Sequence, residues 1–545
     1  MRLHPREIRN NMDDIDIEDL SFDQNEVGRT TGHDLIYPKR AAGHADDVDE
    51  ISNKIPGTQK IWIKTYGCSH NVSDGEYMEG MLSHYGYRIT NDEKDADLWL
   101  LNSCTVKDPS QAAFMNLVNK AKEINKHVVV AGCVPQADRS IPGLEDVSVV
   151  GISNIDRVVE AVEQTLQGNA VKMLAKKDLP QLDLPKVRKN PLVEIIPLST
   201  GCLGSCTYCK TKHARGKLGS YTLDAIVERA KTVIKEGVAE IWLSSEDTGA
   251  YGRDIGTNIG ELLRALVAVL PDEGVMLRVG MTNPPFILEH LEVISEMLRH
   301  PKVFSFLHVP VQAGSNHVLN AMNREYTVEE FRQVADYLIA NVPDMTVATD
   351  IICGFPNETE KDFDMTIKLI DDYKLAITNI SQFYPRPGTP AAKMKRINTQ
   401  IVKDRSRRLT KLFESFEPYT HFPGQTLDVW FNIEVSEDGA HSVGHTKGYV
   451  KVLVPLDPSL PGKRRKVLIK SCSRFHITGS VCIESNAGII AHKNVENVNT
   501  ELKKSGNAKP TGDSTDQRRI YLISGTIIAT ISIAAAILFM RRKKA

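Results

Sequence analysis

Cysteine is scarce in this sequence. Nine in 545 residues are too few for a disulfide-stapled secreted scaffold, and no basic stretch followed by an apolar one stands after Met1. The body of the protein is therefore expected in a reducing compartment. A strong net charge is also lacking, since 67 Lys and Arg against 69 Asp and Glu give a formal −2. That balance hides an acid-rich opening and Lys/Arg clusters in the linkers and C-terminal region, so it does not exclude a nucleic-acid partner. Long apolar runs are missing until residues 520–540, "IYLISGTIIATISIAAAILFM", 21 uncharged and mostly apolar residues. As a helix this run would extend about 31 Å, against a hydrocarbon core of about 30 Å. It reads as a C-terminal transmembrane helix, a tail anchor, whose flanking Lys and Arg leave its orientation undecided.

What is present is globular in composition, with 41% hydrophobic and 25% charged residues. The length suits three or four domains of about 100–200 residues each. Residues 1–57, with "NMDDIDIEDLSFDQNE", lack periodicity and are expected to form a disordered acidic leader. Over 58–170, strand-length runs "KIWIKTY", "ADLWLLNS" and "HVVVAG" alternate with helix-length segments such as "DGEYMEGMLSHYGY". This predicts an N-terminal parallel α/β domain. After a Lys/Pro-rich linker, 171–190, the alternation restarts over 191–420 with six strand candidates, "LVEIIPLST", "EIWLSS", "MLRVGM", "VFSFLHVPV", "TVATDIICG" and "TNISQFY". Six βα units predict a partial (βα)6 barrel. Four β-rich runs over 421–485, "TLDVWFNIEV", "KGYVKVLVPL", "RKVLIKSC" and "FHITGSVCIES", predict a small β-barrel. A polar linker, 486–519, leads to the apolar run 520–540.

Six of the cysteines fall just after strands. Cys68 follows "KIWIKTYG", Cys104 follows "ADLWLLNS" and Cys133 follows "HVVVAG". In a parallel sheet these loops lie together at the carboxyl edge, where ligands bind. Three converging thiolates suit an iron–sulfur cluster, whereas zinc would need a fourth ligand, for which His70 is the candidate. Cys202, Cys206 and Cys209 stand as C-x3-C-x2-C in "GCLGSCTYCKTKHARG", directly after the first barrel strand and so on the functional face of a barrel. One ligand short of a tetrahedral site, this loop makes sense for a [4Fe–4S] cluster that holds three irons by thiolates and leaves the fourth open. Cys353, Cys472 and Cys482 read as small buried hydrophobes.

The spacing of the second triple, with Tyr208 before its last cysteine, resembles that of the radical S-adenosylmethionine (SAM) enzymes. That resemblance implies that the amino and carboxylate groups of SAM bind the open iron, and that an electron from the cluster cleaves SAM to methionine and a 5′-deoxyadenosyl radical. "TYGCSHNVSDGEYMEGMLSHYGY", "LNSCTV" and "AGCVPQA" are similar to the N-terminal domain of the methylthiotransferases. This implies a second, auxiliary [4Fe–4S] cluster on Cys68, Cys104 and Cys133. The 421–485 region sits where that family has its RNA-binding TRAM domain, and Gly75 stands at a position often serine in the family.

Within the family, "TYCKTKHARGKLGSY", "SSEDTGAYGRDIGTN", "GMTNPPF" and "QFYPRPGTPAAKM" are most similar to the members that act on N6-threonylcarbamoyladenosine at position 37 of tRNA. The implied product is the 2-methylthio derivative, and the adenine C2–H bond is not acidic enough for a side-chain base, so a cofactor radical takes the hard step. The resemblance further implies two [4Fe–4S] clusters and SAM as cofactors, the tRNA anticodon stem-loop as partner, and a sulfur donor and a reductant. From the eukaryotic members it implies a tail anchor in the endoplasmic reticulum membrane, with the catalytic domains facing the cytosol. Methylthiolation of another adenosine modification, or of a ribosomal-protein aspartate, would use the same six cysteines. A non-catalytic iron–sulfur RNA-binding protein is the alternative from another class.

Polar residues at strand ends are candidates for the SAM site. Glu246 and Asp247 follow "EIWLSS", Thr282 and Asn283 follow the next strand, and His308, Gln312 and Asp350 come from later ones, with Tyr208 in the cysteine loop. Arg386 is a candidate for an RNA phosphate or the SAM carboxylate. For RNA, Lys447, Lys451, Lys463, Arg464, Arg465 and Lys466 lie on the small β-barrel, with stacking offered by Tyr449 or Phe475.

Overall fold

Strands β1 (Lys60–Thr65), β2 (Arg88–Thr90), β3 (Leu98–Ser103), β4 (His127–Gly132), β5 (Ser148–Val150) and β6 (Lys172–Met173) pair in parallel in the order β2-β1-β3-β4-β5-β6. The structure, a computed structural model, describes residues 59–105 and 108–482. The expected leader 1–57, polar linker 486–519 and apolar run 520–540 lie outside the described residues. Among the described residues no helix is long and apolar enough to cross a membrane.

The central strands are apolar on both faces, as a sheet covered on both sides requires. Leu98, Leu100, Val129 and Ala131 pack on the helices Ser69–Tyr85 and Val158–Leu166, while Trp99, Leu101, Val128 and Val130 pack on Asp108–Glu123. The period of two along each strand sorts neighbouring residues to opposite cores.

The predicted linker is more structured than its composition suggests. Its start contributes β6, so the first domain runs past residue 170. Its remainder clamps rather than tethers: the buried Lys186 ammonium stands 3.0 Å from Glu194 Oε1 and 3.3 Å from Glu76 Oε2, and 4.8 Å over the Tyr77 ring. Burial alone would raise the Glu194 carboxyl, but Lys186, Arg229 and Arg188 outweigh it and hold it below the usual range.

Strand β7 (Val193–Pro197) opens the second region, and a short antiparallel pair, β8 (Ser199–Thr200) and β9 (Gly219–Ser220), stands just beyond its end. The parallel strands β10 (Glu240–Ser244), β11 (Met276–Arg278), β12 (Phe306–His308), β13 (Thr346–Cys353) and β14 (Ile377–Gln382) follow. They form the sheets β11-β10-β7 and β12-β13-β14, joined by a parallel bridge between Leu277 and Val303. All six predicted barrel strands are present.

Strands β15 (Thr426–Val435), β16 (His441–Thr446), β17 (Lys451–Pro455), β18 (Arg464–Cys472) and β19 (Ile477–Val481) close the small β-barrel in the order β15-β16-β17-β19-β18. Strand β16, "HSVGHT", is absent from the four runs read in the sequence. It carries one aliphatic residue, and its Gly444 leaves room for Val429, whose Cγ1 would lie 2.6 Å from a Cβ there.

This barrel docks on the N-terminal ends of the parallel strands, away from the cysteine loop. The Arg278 guanidinium lies 4.8 Å from the Trp242 and Phe306 rings and 4.9 Å from Tyr449, and Tyr449 stacks on His445 at 4.3 Å. The described residues thus belong to one compact unit.

Candidate cofactor and substrate site

Gly201 precedes Cys202 at φ +77°, and a Cβ there would stand 2.1 Å from the Lys217 carbonyl oxygen. Glycine is what lets the chain turn from β8 into the cysteine loop. The Cys202 N–H donates to Gly216 O at 3.3 Å and the Cys209 N–H to Cys206 O at 3.2 Å. Lys212 folds back over the loop, its Nζ donating to Gly204 O at 2.7 Å, Leu203 O at 3.0 Å and Ser205 Oγ at 3.1 Å. A Cβ on Gly204 would lie 3.6 Å from Cys202 Sγ and 3.9 Å from Cys206 Sγ, so two sulfurs flank a residue without a side chain.

A hydrogen-bonded relay stands behind this loop. Asp247 Oδ1 accepts from Thr282 Oγ1 at 3.1 Å and from the Asn283 N–H at 3.2 Å, and its Oδ2 accepts from Asn283 Nδ2 at 2.7 Å. Burial raises the Asp247 carboxyl to about 6. Asn283 Oδ1 in turn accepts from Arg324, whose Nη1 lies 3.0 Å from Cys206 Sγ and 3.5 Å from Tyr208 Oη. Asp247, Asn283 and Tyr208 are therefore brought to the cysteine loop through Arg324, a residue that sequence reasoning missed. A single arginine in "NREY" carries no spacing signal; only the fold shows what it faces.

His308 ends β12, Asp350 lies on β13, and Gln312, in the loop after β12, bridges to Ile351 of β13. His308 Nε2 lies 2.9 Å from Asp350 Oδ1, which also accepts from Asn379 Nδ2 at 2.9 Å. Gln312 sits at φ +70°, held by its N–H to Asp350 O at 2.8 Å and by the Ile352 N–H to its own carbonyl at 2.9 Å. A non-glycine residue kept in this sparsely populated region is strained and over-determined by its surroundings.

Glu246 corrects the sequence expectation. Instead of joining the SAM candidates, its Oε1 lies 3.0 Å from Arg215 Nε and 3.3 Å from His70 Nδ1. Consecutive residues of an extended chain face opposite sides, so Asp247 turns to the Cys202 loop while Glu246 turns to the N-terminal domain. His70, the candidate zinc ligand, is taken up by this pairing.

The N-terminal triple gathers at β1, β3 and β4, where the strand order reverses and α/β sheets bind ligands. Gly67 sits at φ +92°, and a Cβ there would fall 2.2 Å from Cys104 Cβ and 2.3 Å from its Sγ. Cys68 is the N-cap of the 17-residue helix Ser69–Tyr85. Cys104 and Cys133 are buried, and burial pushes the Cys133 thiol up to about 12, against the attraction of Arg215. Among the described residues no three Cys, His, Asp or Glu side chains close on a point as a single metal ion requires. Two all-thiol sets, each three strong, fit clusters that spread their ligands over several irons.

The β-barrel basic residues divide. Lys463, Arg464 and Lys466 are exposed on or beside β18, with Lys451 and Arg465 half-buried. Asp428 draws in Arg464 at 3.0 Å and Lys466 at 3.4 Å. Lys447 is a correction: its ammonium donates to Leu298 O at 2.8 Å, to Ser305 Oγ at 3.0 Å and to Val303 O, and burial lowers it to about 8. It fastens the barrel to the strand ends and is not presented to RNA. Tyr449 is likewise buried, whereas Phe475 is 50% exposed.

A family model described as "Radical SAM superfamily" matches residues 196–370, and one described as "Uncharacterized protein family UPF0004" matches residues 60–148. The threonylcarbamoyladenosine tRNA methylthiotransferase of Xenopus laevis is 47% identical over 547 residues, covering 97% of this chain and 98% of the relative. That of Homo sapiens is 55% identical over 432 residues, 78% of this chain and 74% of the relative. The probable threonylcarbamoyladenosine tRNA methylthiotransferase of Pyrococcus abyssi is 38% identical over 427 residues, 77% of this chain and 99% of the relative. Identity of this extent, over a fold with both cysteine triples in place, means that the chain belongs to the threonylcarbamoyladenosine tRNA methylthiotransferase family.

Proposed function

We infer that the protein is a radical SAM methylthiotransferase that converts N6-threonylcarbamoyladenosine at position 37 of tRNA to its 2-methylthio derivative. The observation that carries this reading is the meeting of the two cysteine triples across one short helix. Thr211–Arg215 begins just after Cys209, and its Ala214 packs on Cys133. Cys202, Cys206 and Cys209 would hold the SAM-binding [4Fe–4S] cluster, and Cys68, Cys104 and Cys133 the auxiliary one. When bound, these groups supply the radical, methyl and sulfur chemistry that side chains lack.

The chain's own part is to bind, orient and exclude water. Arg324 keeps a fixed cation beside Cys206, and Asn283 and Asp247 keep Arg324 there. Tyr208, edge-on to Phe355 at 6.2 Å, closes one side of the loop. His308, Gln312 and Asp350, from β12, the loop after it and β13, form a polar wall offered to SAM or to the adenosine. Lys451, Lys463, Arg464, Arg465 and Lys466, with Phe475, suit the phosphates and an unstacked base of the anticodon stem-loop. The apolar run 520–540 supports a tail anchor, and we assign it to the endoplasmic reticulum membrane, with the enzyme on the cytosolic side.

The test is an anaerobic reaction of the iron-loaded enzyme with SAM, a reductant, a sulfide source and tRNA carrying threonylcarbamoyladenosine. Formation of 5′-deoxyadenosine together with the 2-methylthio nucleoside is expected, and Cys206→Ala is expected to abolish both. A methylthio group found instead on a different adenosine would reject the substrate assignment. Fractionation of cells carrying the chain with and without 520–540 tests the anchor.

A further inference from the structure

Arg215 stands where the two cysteine triples meet, and none of the roles assigned above uses it. It is the last residue of the helix Thr211–Arg215 and is 6% exposed. Its Nη2 donates to Asp74 Oδ2 at 2.7 Å, and its Nε lies 3.0 Å from Glu246 Oε1. Glu246 also lies 3.3 Å from His70 Nδ1. Asp74 and His70 belong to the helix capped by Cys68, and Glu246 follows β10 of the barrel. One guanidinium therefore ties together the helix that starts at Cys68, the loop that carries Cys202 to Cys209, and a barrel strand.

Its place is beside the N-terminal triple: the preceding Ala214 packs with Cys133, and its partner Asp74 lies on the helix capped by Cys68. The carboxylates of Asp74 and Glu246 hold it there. The thiol of Cys206 has its own cation, Arg324. A planar fork fits this place because it reaches two carboxylates from different domains at once, which a lysine ammonium does not. A fixed positive charge beside an iron–sulfur cluster favours the state that has gained an electron, so it raises the reduction potential.

We propose that Arg215 is the positioning residue of the auxiliary site: it fixes the separation between the two cysteine triples and raises the reduction potential of a cluster held by Cys68, Cys104 and Cys133. This rests on the reading that both triples hold clusters. The experiment uses the full chain, loaded with iron and sulfide under anaerobic conditions, as wild type, Arg215→Gln and Arg215→Lys. It measures iron per chain, the midpoint potential of each cluster, and the magnetic interaction between the two. The Gln variant is expected to keep its iron and to show a lower auxiliary potential with that of the Cys202 cluster unchanged. The Lys variant keeps the charge, and so the potential, but alters the magnetic interaction because one carboxylate is released. An unchanged auxiliary potential in the Gln variant, or an equal shift at both clusters, would overturn the proposal. If the Gln variant loses iron, Asp74→Asn decides, since it removes an anion and leaves Arg215: a higher auxiliary potential is expected, and an unchanged one overturns the proposal. Iron for one cluster only in the wild type would overturn the two-cluster reading, and the proposal with it.

Discussion

Arg324 holds its Nη1 3.0 Å from the sulfur of Cys206, and the same guanidinium is gripped by Asn283, which Asp247 grips in turn. A cation at this sulfur orients the loop without itself being an iron ligand. Loss of such a supporting partner typically costs about 10–100-fold in metal affinity or activity. Arg324→Met is therefore expected to slow 5′-deoxyadenosine formation by about 10–100-fold while the auxiliary triple keeps its iron. Chromatographic assay of 5′-deoxyadenosine checks this, and an unchanged rate would remove Arg324 from the site.

The N-terminal triple has a steric test. A Cβ on Gly67 would overlap Cys104 Cβ at 2.2 Å, and φ there is +92°. Gly67→Ala is expected to displace Cys104 and cost the iron of the auxiliary cluster alone, leaving iron for one cluster per chain. Iron analysis with visible absorption reads the outcome, and retention of full iron would mean that Cys104 is not a ligand.

The two kinds of basic residue on the small β-barrel are separable by salt. Lys463→Ala, at an exposed position, is expected to reduce the salt slope of tRNA binding by about 1. Lys447→Ala removes buried charged hydrogen bonds and is expected to destabilise the chain by about 1–3 kcal/mol, with the salt slope unchanged. Binding titrations over a salt series and thermal melts distinguish them.

Glu240 makes the stability pH-dependent. It is buried, accepts a hydrogen bond from Trp242 Nε1 at 2.8 Å, and burial raises its carboxyl from 4.5 to about 7. An acid that folding makes harder to ionise binds its proton more tightly in the native state. Its contribution is therefore fully present below pH 4.5 and is lost as the pH rises through about 7. Glu240→Gln cannot ionise, so it is expected to flatten this window and to be the more stable form at pH 8, by on the order of 1 kcal/mol or more. Melting profiles at pH 5 and pH 8 measure it, and parallel pH profiles for the two proteins would contradict it.

Much of this was legible in the chain because the signals are local. Runs such as "LWLLNS" and "HVVVAG" announce central strands, and a cysteine directly after a strand places itself at a sheet edge. Where side chains meet across the fold, the sequence is silent. Glu246 and Asp247 are neighbours with the same chemistry, yet one serves Arg215 and the other Asn283. Lys447 looks like any barrel lysine until Leu298 of the helix Leu291–Arg299, and Val303 and Ser305 just before β12, are seen to surround it. Arg324 lacks even a composition signal, and "HSVGHT" lacks the alternation that would mark β16.

The central claim, methylthiolation of threonylcarbamoyladenosine in tRNA, is tested most directly by mass spectrometry of tRNA nucleosides from cells with and without the gene. The account predicts that 2-methylthio-N6-threonylcarbamoyladenosine disappears without it, returns with the wild-type chain and does not return with Cys206→Ala. Unchanged levels of that nucleoside in cells lacking the gene would contradict it.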